Sequence, residues 1–325
     1  MTSDLNRRSF IKSSALAGAA LVLPLNVFPL SNSKETIEFG LIADIHKDVM
    51  HDADERLQAF IDAADQKDLD FIMQLGDFCR PYDYNQKFLD IFNKYEGDKY
   101  HILGNHDTDG GFTREQVKAY WNMPENYYSF DKKGVHFIVL DGNDPNPTPW
   151  SGYNRYIGEI QEEWLVNDLE KTNMPTVIFS HQSLELEYDG IANMKEIRKI
   201  LEETNLKAGF KKVLCCINGH THTDYATQIN DIHYVQINSA SYRWLGGDYK
   251  TIRYSKDIDK QFEWIKYTIP YREPLFTFVK ISHDSITITP KKTEFVGPGP
   301  VEMGLPESLP NDPIVPTISK YKLKL

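Results

Sequence analysis

Five short polar clusters carry most of the residues here that can do acid, base or metal chemistry. They are Asp44-Ile45-His46, Gly76-Asp77, Gly104-Asn105-His106-Asp107, His181 and Gly219-His220-Thr221-His222. Five of the ten histidines fall in them. Imidazole, carboxylate and one amide oxygen form a donor set that suits zinc, manganese or iron better than calcium or a thiolate-seeking ion. Asp77 is the natural bridge, because one carboxylate can serve two ions. Any one cluster could be a polar turn, but all five in this order point to a single two-metal site.

Each cluster closes an apolar run with strand character: residues 37–43, 71–75, 100–103, 176–180 and 213–218. Helical apolar spacing marks 53–66, 84–95, 159–171 and 194–204, and Thr113-Arg114-Glu115 opens a shorter helix that ends near Pro124. A hairpin is expected over 127–130 and 135–140, turning at Lys133-Gly134. After His222 the pattern is strand-like through 225–229, 233–238, 275–281 and 285–290. Strand-helix units followed by a β-rich section predict an α/β protein with a large mixed sheet system and helices outside. In such a sheet, the loops at the carboxyl ends of strands share one crevice. Alternation along an extended strand end would send His220 and His222, and likewise Asp44 and His46, to one side. The Pro- and Asn-rich segment 144–156 reads as a loop over the site.

The chain has 325 residues, 41% hydrophobic and 12% aromatic, enough for a substantial core. Its net charge of -11 argues against a nucleic-acid polymer as partner, although bound cations can reverse the field in one cleft of an acidic protein. Three cysteines make no disulfide framework. Cys215 and Cys216 lie in an apolar run, and Cys79, two residues after Asp77, is expected to pack in the core. At the N-terminus, Asn6-Arg7-Arg8-Ser9-Phe10-Ile11-Lys12 precedes a short apolar stretch over 15–27, the order of an export signal. It resembles the twin-arginine signal, which implies the twin-arginine export machinery as partner and passage of an already folded protein to the periplasm or the exterior. No clear small-residue cleavage site follows Leu23, so retention by an uncleaved N-terminal helix stays open.

The series Asp44-x-His46, Gly76-Asp77, Gly104-Asn105-His106-Asp107, His181 and Gly219-His220-x-His222 resembles the calcineurin-like metallophosphoesterase superfamily, over about residues 37–241. The resemblance implies a four-layer α/β/β/α sandwich. It divides the chain into an export signal (1–33), a metallophosphoesterase domain (34–293) with an insertion at about 244–270, and a proline-rich C-terminal tail (294–325). It also implies two divalent or mixed-valence ions (Mn, Fe or Zn): Asp44, His46 and His222 hold one, Asn105, His181 and His220 the other, and Asp77 bridges. His106 then faces the scissile phosphate and Asp107 orients it.

Where many relatives carry Asp or Asn, three residues after the bridging Asp, this chain has Arg80, which can meet a substrate phosphate or pair with a carboxylate. Trp150, Tyr153, Tyr242 and Arg243 are further candidates for the substrate rim. The implied activity is hydrolysis of a small phosphate ester by a hydroxide shared between two ions about 4 Å apart. The Asp-x-His first block tilts the expectation towards diesters over monoesters. The competing reading is an exported protein that binds a phosphate ligand with little or no turnover. A metallo-β-lactamase-type site is excluded, since no His-x-His-x-Asp-His cluster occurs. Composition and motifs leave the oligomeric state open.

Overall fold

Large apolar side chains alternate between the two faces of each central strand, and this divides the molecule into layers. The computed structural model describes residues 36–305, 308, 309 and 312–325; the export segment expected over 1–33 lies outside them. In chain order the first strands are β1 (Ile37–Ile42), β2 (Phe71–Gln74), β3 (Asp98–His101), β4 (Tyr128–Lys132), β5 (Val135–Val139), β6 (Thr176–Phe179) and β7 (Val213–Asn218). They are followed by β8 (Tyr225–Ile229), β9 (Ile232–Gln236), β10 (Tyr242–Trp244), β11 (Thr268–Pro270), β12 (Thr277–Ile281) and β13 (Ser285–Ile288). The helices used below are α1 (Ala53–Ala64), α2 (Gln86–Asn93), α3 (Arg114–Trp121), α4 (Glu159–Lys171) and α5 (Met194–Ala208).

Two six-stranded sheets result. One runs β13-β12-β1-β2-β3 with Tyr321–Lys324 added beside β13, and the other runs β4-β5-β6-β7-β9-β8. β1, β2 and β3 are parallel, as are β5, β6, β7 and β9, so both parallel sets send their carboxyl ends the same way as ligand-bearing loops. Between the sheets, Phe39 stacks on Phe71 with ring centroids 4.6 Å apart and meets Phe137 and Phe179 of the facing sheet edge-on, at 5.8 and 5.9 Å. The neighbours Ile138 and Ile178 point the other way, into a second core with Leu165 and Leu169 of α4 and Ile197 and Leu201 of α5. On the far side of the first sheet, α1 buries Leu57, Phe60 and Ile61, and α2 buries Phe88, Leu89 and Phe92. The order is helix, sheet, sheet, helix, as the resemblance implied.

The hairpin β4–β5 turns through Lys133 (φ 43°) and Gly134 (φ 76°), the pair of positive φ values that a two-residue turn between right-twisted strands requires. α3 begins at a capping box between Thr113 and Gln116.

The segment expected as a tail without periodicity differs at its end. Tyr321–Lys324 pairs antiparallel with β13, with Tyr321 and Leu323 half-buried and Lys322 and Lys324 exposed. The Tyr321 hydroxyl donates to Asp224 (3.0 Å), and His233 Nε2 donates to the Lys324 carbonyl (2.9 Å). Four alternating residues are too few to stand out against the prolines before them. The 244–270 segment begins and ends in a separate two-stranded ribbon, β10 with β11.

Phe39 contacts three aromatic rings in two sheets, so Phe39→Ala is expected to lower stability by about 3–5 kcal/mol, read as a lower midpoint in urea unfolding.

Candidate metal centre

The loops after β1, β2, β3, β6 and β7 converge where the carboxyl ends of the two sheets meet. Parallel pairing continues past the strands: Asp44 N donates to Gly76 O (3.1 Å) and His46 N to Asp77 O (2.9 Å). Further bonds cross between sheets. Ala240 N donates to Ala43 O (2.8 Å), the Ser239 hydroxyl to Asp44 O (2.8 Å) and the Ser241 hydroxyl to Ile45 O (2.8 Å). His220 N donates to the Asp44 carboxylate at 3.0 Å.

Two groups result, Asp44 with His46 and His222, and Asp77 with His181 and His220, the ligand atoms of each lying within 4.8 Å of one another. Asp77 Oδ2 is 3.2 Å from His181 Nε2 and 3.5 Å from His46 Nε2, so this carboxylate spans both groups. His46 Nε2 and His222 Nε2 are 3.1 Å apart, and His220 Nδ1 and His181 Nε2 are 3.2 Å apart. Two imidazole nitrogens at that separation share at most one proton, which leaves lone pairs converging on the same space. Asn105 is 3% exposed and its buried Oδ1 has no hydrogen-bond partner. An amide oxygen left so costs about 1–3 kcal/mol, a cost that a cation would remove. The residues fit a pair of metal ions.

Neighbouring carbonyls set the tautomers. His181 Nδ1 donates to Leu75 O (2.7 Å) and His222 Nδ1 to Tyr242 O (2.8 Å), which directs each Nε2 at the site. Burial pushes His46 and His220 well below the usual imidazole range, so both are neutral and ready to ligate. At His181 burial also opposes charge, but the Asp77 and Asp44 carboxylates outweigh it and raise the imidazole to about 10. An ion binding there must displace that proton.

Alternation does not aim these side chains. Asp44 (φ 52°), His46 (52°), Asp77 (50°), His220 (72°) and His222 (52°) all have left-handed backbone, and His220 and His222 fall in different groups. Both imidazoles reach the one site, as do Asp44 and His46, but by left-handed backbone and not by the alternation of an extended strand. The candidate ligands sit in the loops just beyond the strand ends. Close approach then excludes side chains beside them. A Cβ on Gly104 would collide with the Asp77 nitrogen and carboxylate, one on Gly76 with the His181 ring, and one on Gly219 with the Asp44 carboxylate.

Asp107, expected to orient His106, does not touch its ring. Its buried carboxylate accepts from the backbone of Gly104 (2.7 Å), Phe78 (2.8 Å) and Asp77 (3.0 Å), binding the β2 and β3 loops together. The carboxylate at His106 is Asp109, with Oδ2 2.8 Å from Nδ1. His–x–x–Asp spacing across one turn of 3-10 helix was the signal for it in the sequence.

Arg80 faces inward, with Nη2 3.2 Å from Asp109 Oδ2 and Nε 4.0 Å from Asp48. Tyr153, 43% exposed, reaches the site from the 144–156 loop and places its hydroxyl 2.9 Å from Asp109 Oδ1. Trp150, equally exposed, donates from its indole to Tyr153 O (2.8 Å). Two rim candidates lie elsewhere. The Tyr242 ring is buried against His46 and His222, with centroids 5.1 and 4.9 Å away, and Arg243 donates to Thr221 O (2.6 Å). Both brace the histidine loop from behind, because β10 turns inward at its start. Cys79, Cys215 and Cys216 are buried and free.

The calcineurin-like phosphoesterase family matches residues 37–224, and the twin-arginine translocation pathway signal sequence matches residues 4–24. A manganese-dependent ADP-ribose/CDP-alcohol diphosphatase from Arabidopsis thaliana is 23% identical over 226 residues, covering 53% of this chain and 71% of that protein. A dimetal phosphatase from Danio rerio superposes with a TM-score of 0.57 at 15% identity, covering 80% of this chain and 98% of its own. GAP50, the anchor in the inner membrane complex of Plasmodium, gives a TM-score of 0.48 at 14% identity over 89% of both chains. At these identities the structural likeness is one of fold. Among the described residues no helix is long and apolar enough to cross a membrane.

Gly104→Ala is expected to fold yet bind little metal, because its methyl group displaces Asp77 from between the two groups. Elemental analysis beside a circular dichroism spectrum reads this; a normal metal content would show that the loop can shift without loss of the site.

Proposed function

The chain belongs to the calcineurin-like phosphoesterase family, and from that premise we propose that it hydrolyses a small phosphodiester or diphosphate in preference to a monoester. It is a metal-dependent hydrolase of phosphoric esters that carries an export signal. The observation that supports the site best is the pair of three-residue groups joined by Asp77, together with a buried, unpartnered oxygen on Asn105, whose chain neighbour His106 bonds Asp77 through its backbone nitrogen. Asp44, His46 and His222 would hold one ion, Asn105, His181 and His220 the other, and Asp77 both. The ions supply a water acidified to work near neutral pH and a clamp on the phosphate oxygens. Manganese is favoured by the diphosphatase relative's stated dependence, and iron and zinc suit the same donors.

His106 carries the proton chemistry in this reading. Its ring lies 5.3 Å from that of His46, and its side chain is 40% exposed, so it borders both the ligands and solvent. Burial opposes its charge, but the Asp77 and Asp109 carboxylates outweigh burial and raise it above the ordinary imidazole value. Asp109 lies outside the candidate ligand set, so its contact with Nδ1 would persist with ions bound and would favour a protonated ring facing the leaving oxygen. The diphosphate preference leans on what the Arabidopsis relative is named for, the diester preference on the Asp-x-His block. The export signal supports a site of action across the membrane, in the periplasm or outside the cell.

Hydrolysis of bis(p-nitrophenyl) phosphate against p-nitrophenyl phosphate, on protein supplied with manganese, iron or zinc, tests the reading. Diester turnover should exceed monoester turnover and vanish with Asn105→Ala. His106→Ala should keep its metal and lose about 10²–10⁴-fold in kcat, the usual contribution of general acid–base catalysis. Loss of metal in His106→Ala would make it a ligand instead, and two bound ions without turnover of any phosphate ester would favour a binding protein.

A further inference from the structure

We propose that Asp109 is the positioning residue of His106, and that Tyr153 and Arg80 fix the Asp109 carboxylate from two sides. Asp109 closes the 3-10 turn that His106 opens, its backbone nitrogen donating to the His106 carbonyl (3.1 Å). Its Oδ2 accepts from His106 Nδ1 (2.8 Å) and from Arg80 Nη2 (3.2 Å). The Tyr153 hydroxyl lies 2.9 and 3.1 Å from the two carboxylate oxygens and 3.0 Å from His106 Nδ1. Nδ1 donates a hydrogen bond to Asp109, so the Tyr153 hydroxyl donates to Asp109 as well, and with Arg80 three donors meet one carboxylate.

These donors come from three separate parts of the chain, which is why the arrangement defines a direction for the ring. Arg80 follows β2, His106 and Asp109 follow β3, and Tyr153 lies in the loop after β5. Tyr153 is itself held. The Trp150 indole bonds its carbonyl, the Arg155 guanidinium lies 5.3 Å from the Trp150 ring, and Arg155 pairs with Asp189 (3.0 Å). The result is an imidazole pinned at Nδ1 with Nε2 as the only nitrogen that can exchange a proton with substrate.

The proposal rests on the reading of His106 as proton donor. In that step a water oxygen, its proton lost to solvent, forms a new P–O bond as the P–O bond to the leaving group breaks; the leaving oxygen takes the proton from Nε2, and Nδ1 keeps its own proton in its hydrogen bond to Asp109. The ring ends as the neutral Nδ1–H tautomer, and water returns a proton to Nε2. Asp109 neither gains nor loses one.

A double-mutant cycle on the metal-loaded full chain tests this, with kcat, KM, metal content and melting temperature measured for Asp109→Asn, Tyr153→Phe, His106→Ala and the pairs with His106→Ala. Substrates are bis(p-nitrophenyl) phosphate and diphenyl phosphate, whose leaving group is poorer and needs the proton more. Asp109→Asn should keep its metal and KM and lose about tenfold or more in kcat, with the larger loss on diphenyl phosphate. Tyr153→Phe should show the same pattern more weakly. Neither should lower turnover further in the His106→Ala background, because both act through that ring. An equal loss with and without His106, or a loss confined to KM or metal content, would overturn the proposal alone. Full turnover in His106→Ala would overturn the proton-donor reading and this proposal with it.

Discussion

The hydrogen bond from His181 Nδ1 to the Leu75 carbonyl, at 2.7 Å, is one of several that join the second sheet to the first around the site. It holds the imidazole with Nε2 towards Asp77, and it can form only if the two sheets sit at one separation. The stacked and edge-on rings of Phe39, Phe71, Phe137 and Phe179 set that separation a few residues below. Core packing and ligand geometry are thus one constraint. A large-to-small change between the sheets acts on the metal groups through these inter-sheet bonds, even where it touches no ligand.

Five ligand positions carry left-handed backbone, which for non-glycine residues costs about 1–2 kcal/mol each. Their sum is comparable with the net stability of a typical domain, about 5–15 kcal/mol. What keeps them there is local. The β1 and β2 loops pair with each other, the hydroxyls of Ser239 and Ser241 bond the carbonyls of Asp44 and Ile45, and Asp107 gathers three backbone amides. Behind this, Arg56 of α1 is buried and reaches the carbonyls of Ala240 (3.1 Å) and Tyr271 (2.6 Å), tying a helix of the first layer to the loop that braces His222. The strain sits at the residues whose aim matters.

This explains which parts of the site could be read from the sequence. The candidate ligands were legible as a set that the fold brings together, because imidazoles and carboxylates at the ends of apolar runs are rare chemistry in recognisable places. The α/β class was legible from the repeating strand-helix units, and the layer order from the family resemblance. Side-chain direction was not. Alternation assumes extended backbone, and nothing in Asp-x-His or His-x-His announces φ near 50° at both ends. Asp107 and Asp109 are equally plausible partners for His106 on paper; the 3-10 turn decides for Asp109 and turns Asp107 towards Gly104 and Phe78. Tyr242 and Arg243 were assigned to the rim because they follow a strand end, but the ring of one is buried and the guanidinium of the other bonds backbone carbonyls. Tyr321–Lys324 was hidden because edge pairing needs only four residues and a neighbour that is distant in sequence.

Charge completes the argument. A chain of net charge -11 should repel a phosphate ester, and the clusters that form the site add Asp44 and Asp77 to that field. The four ligand histidines and Asn105 contribute no negative charge. Two divalent ions, set against the carboxylates of Asp44 and Asp77 alone, would leave a local charge of about +2 in a buried cleft, where screening is weak. Neutral donors would therefore do more than satisfy coordination: they would let bound ions keep enough charge to attract an anion to one place on an acidic surface. The seven residues lie between Asp44 and His222 and come from both sheets, so this reversal of sign exists only in the folded chain.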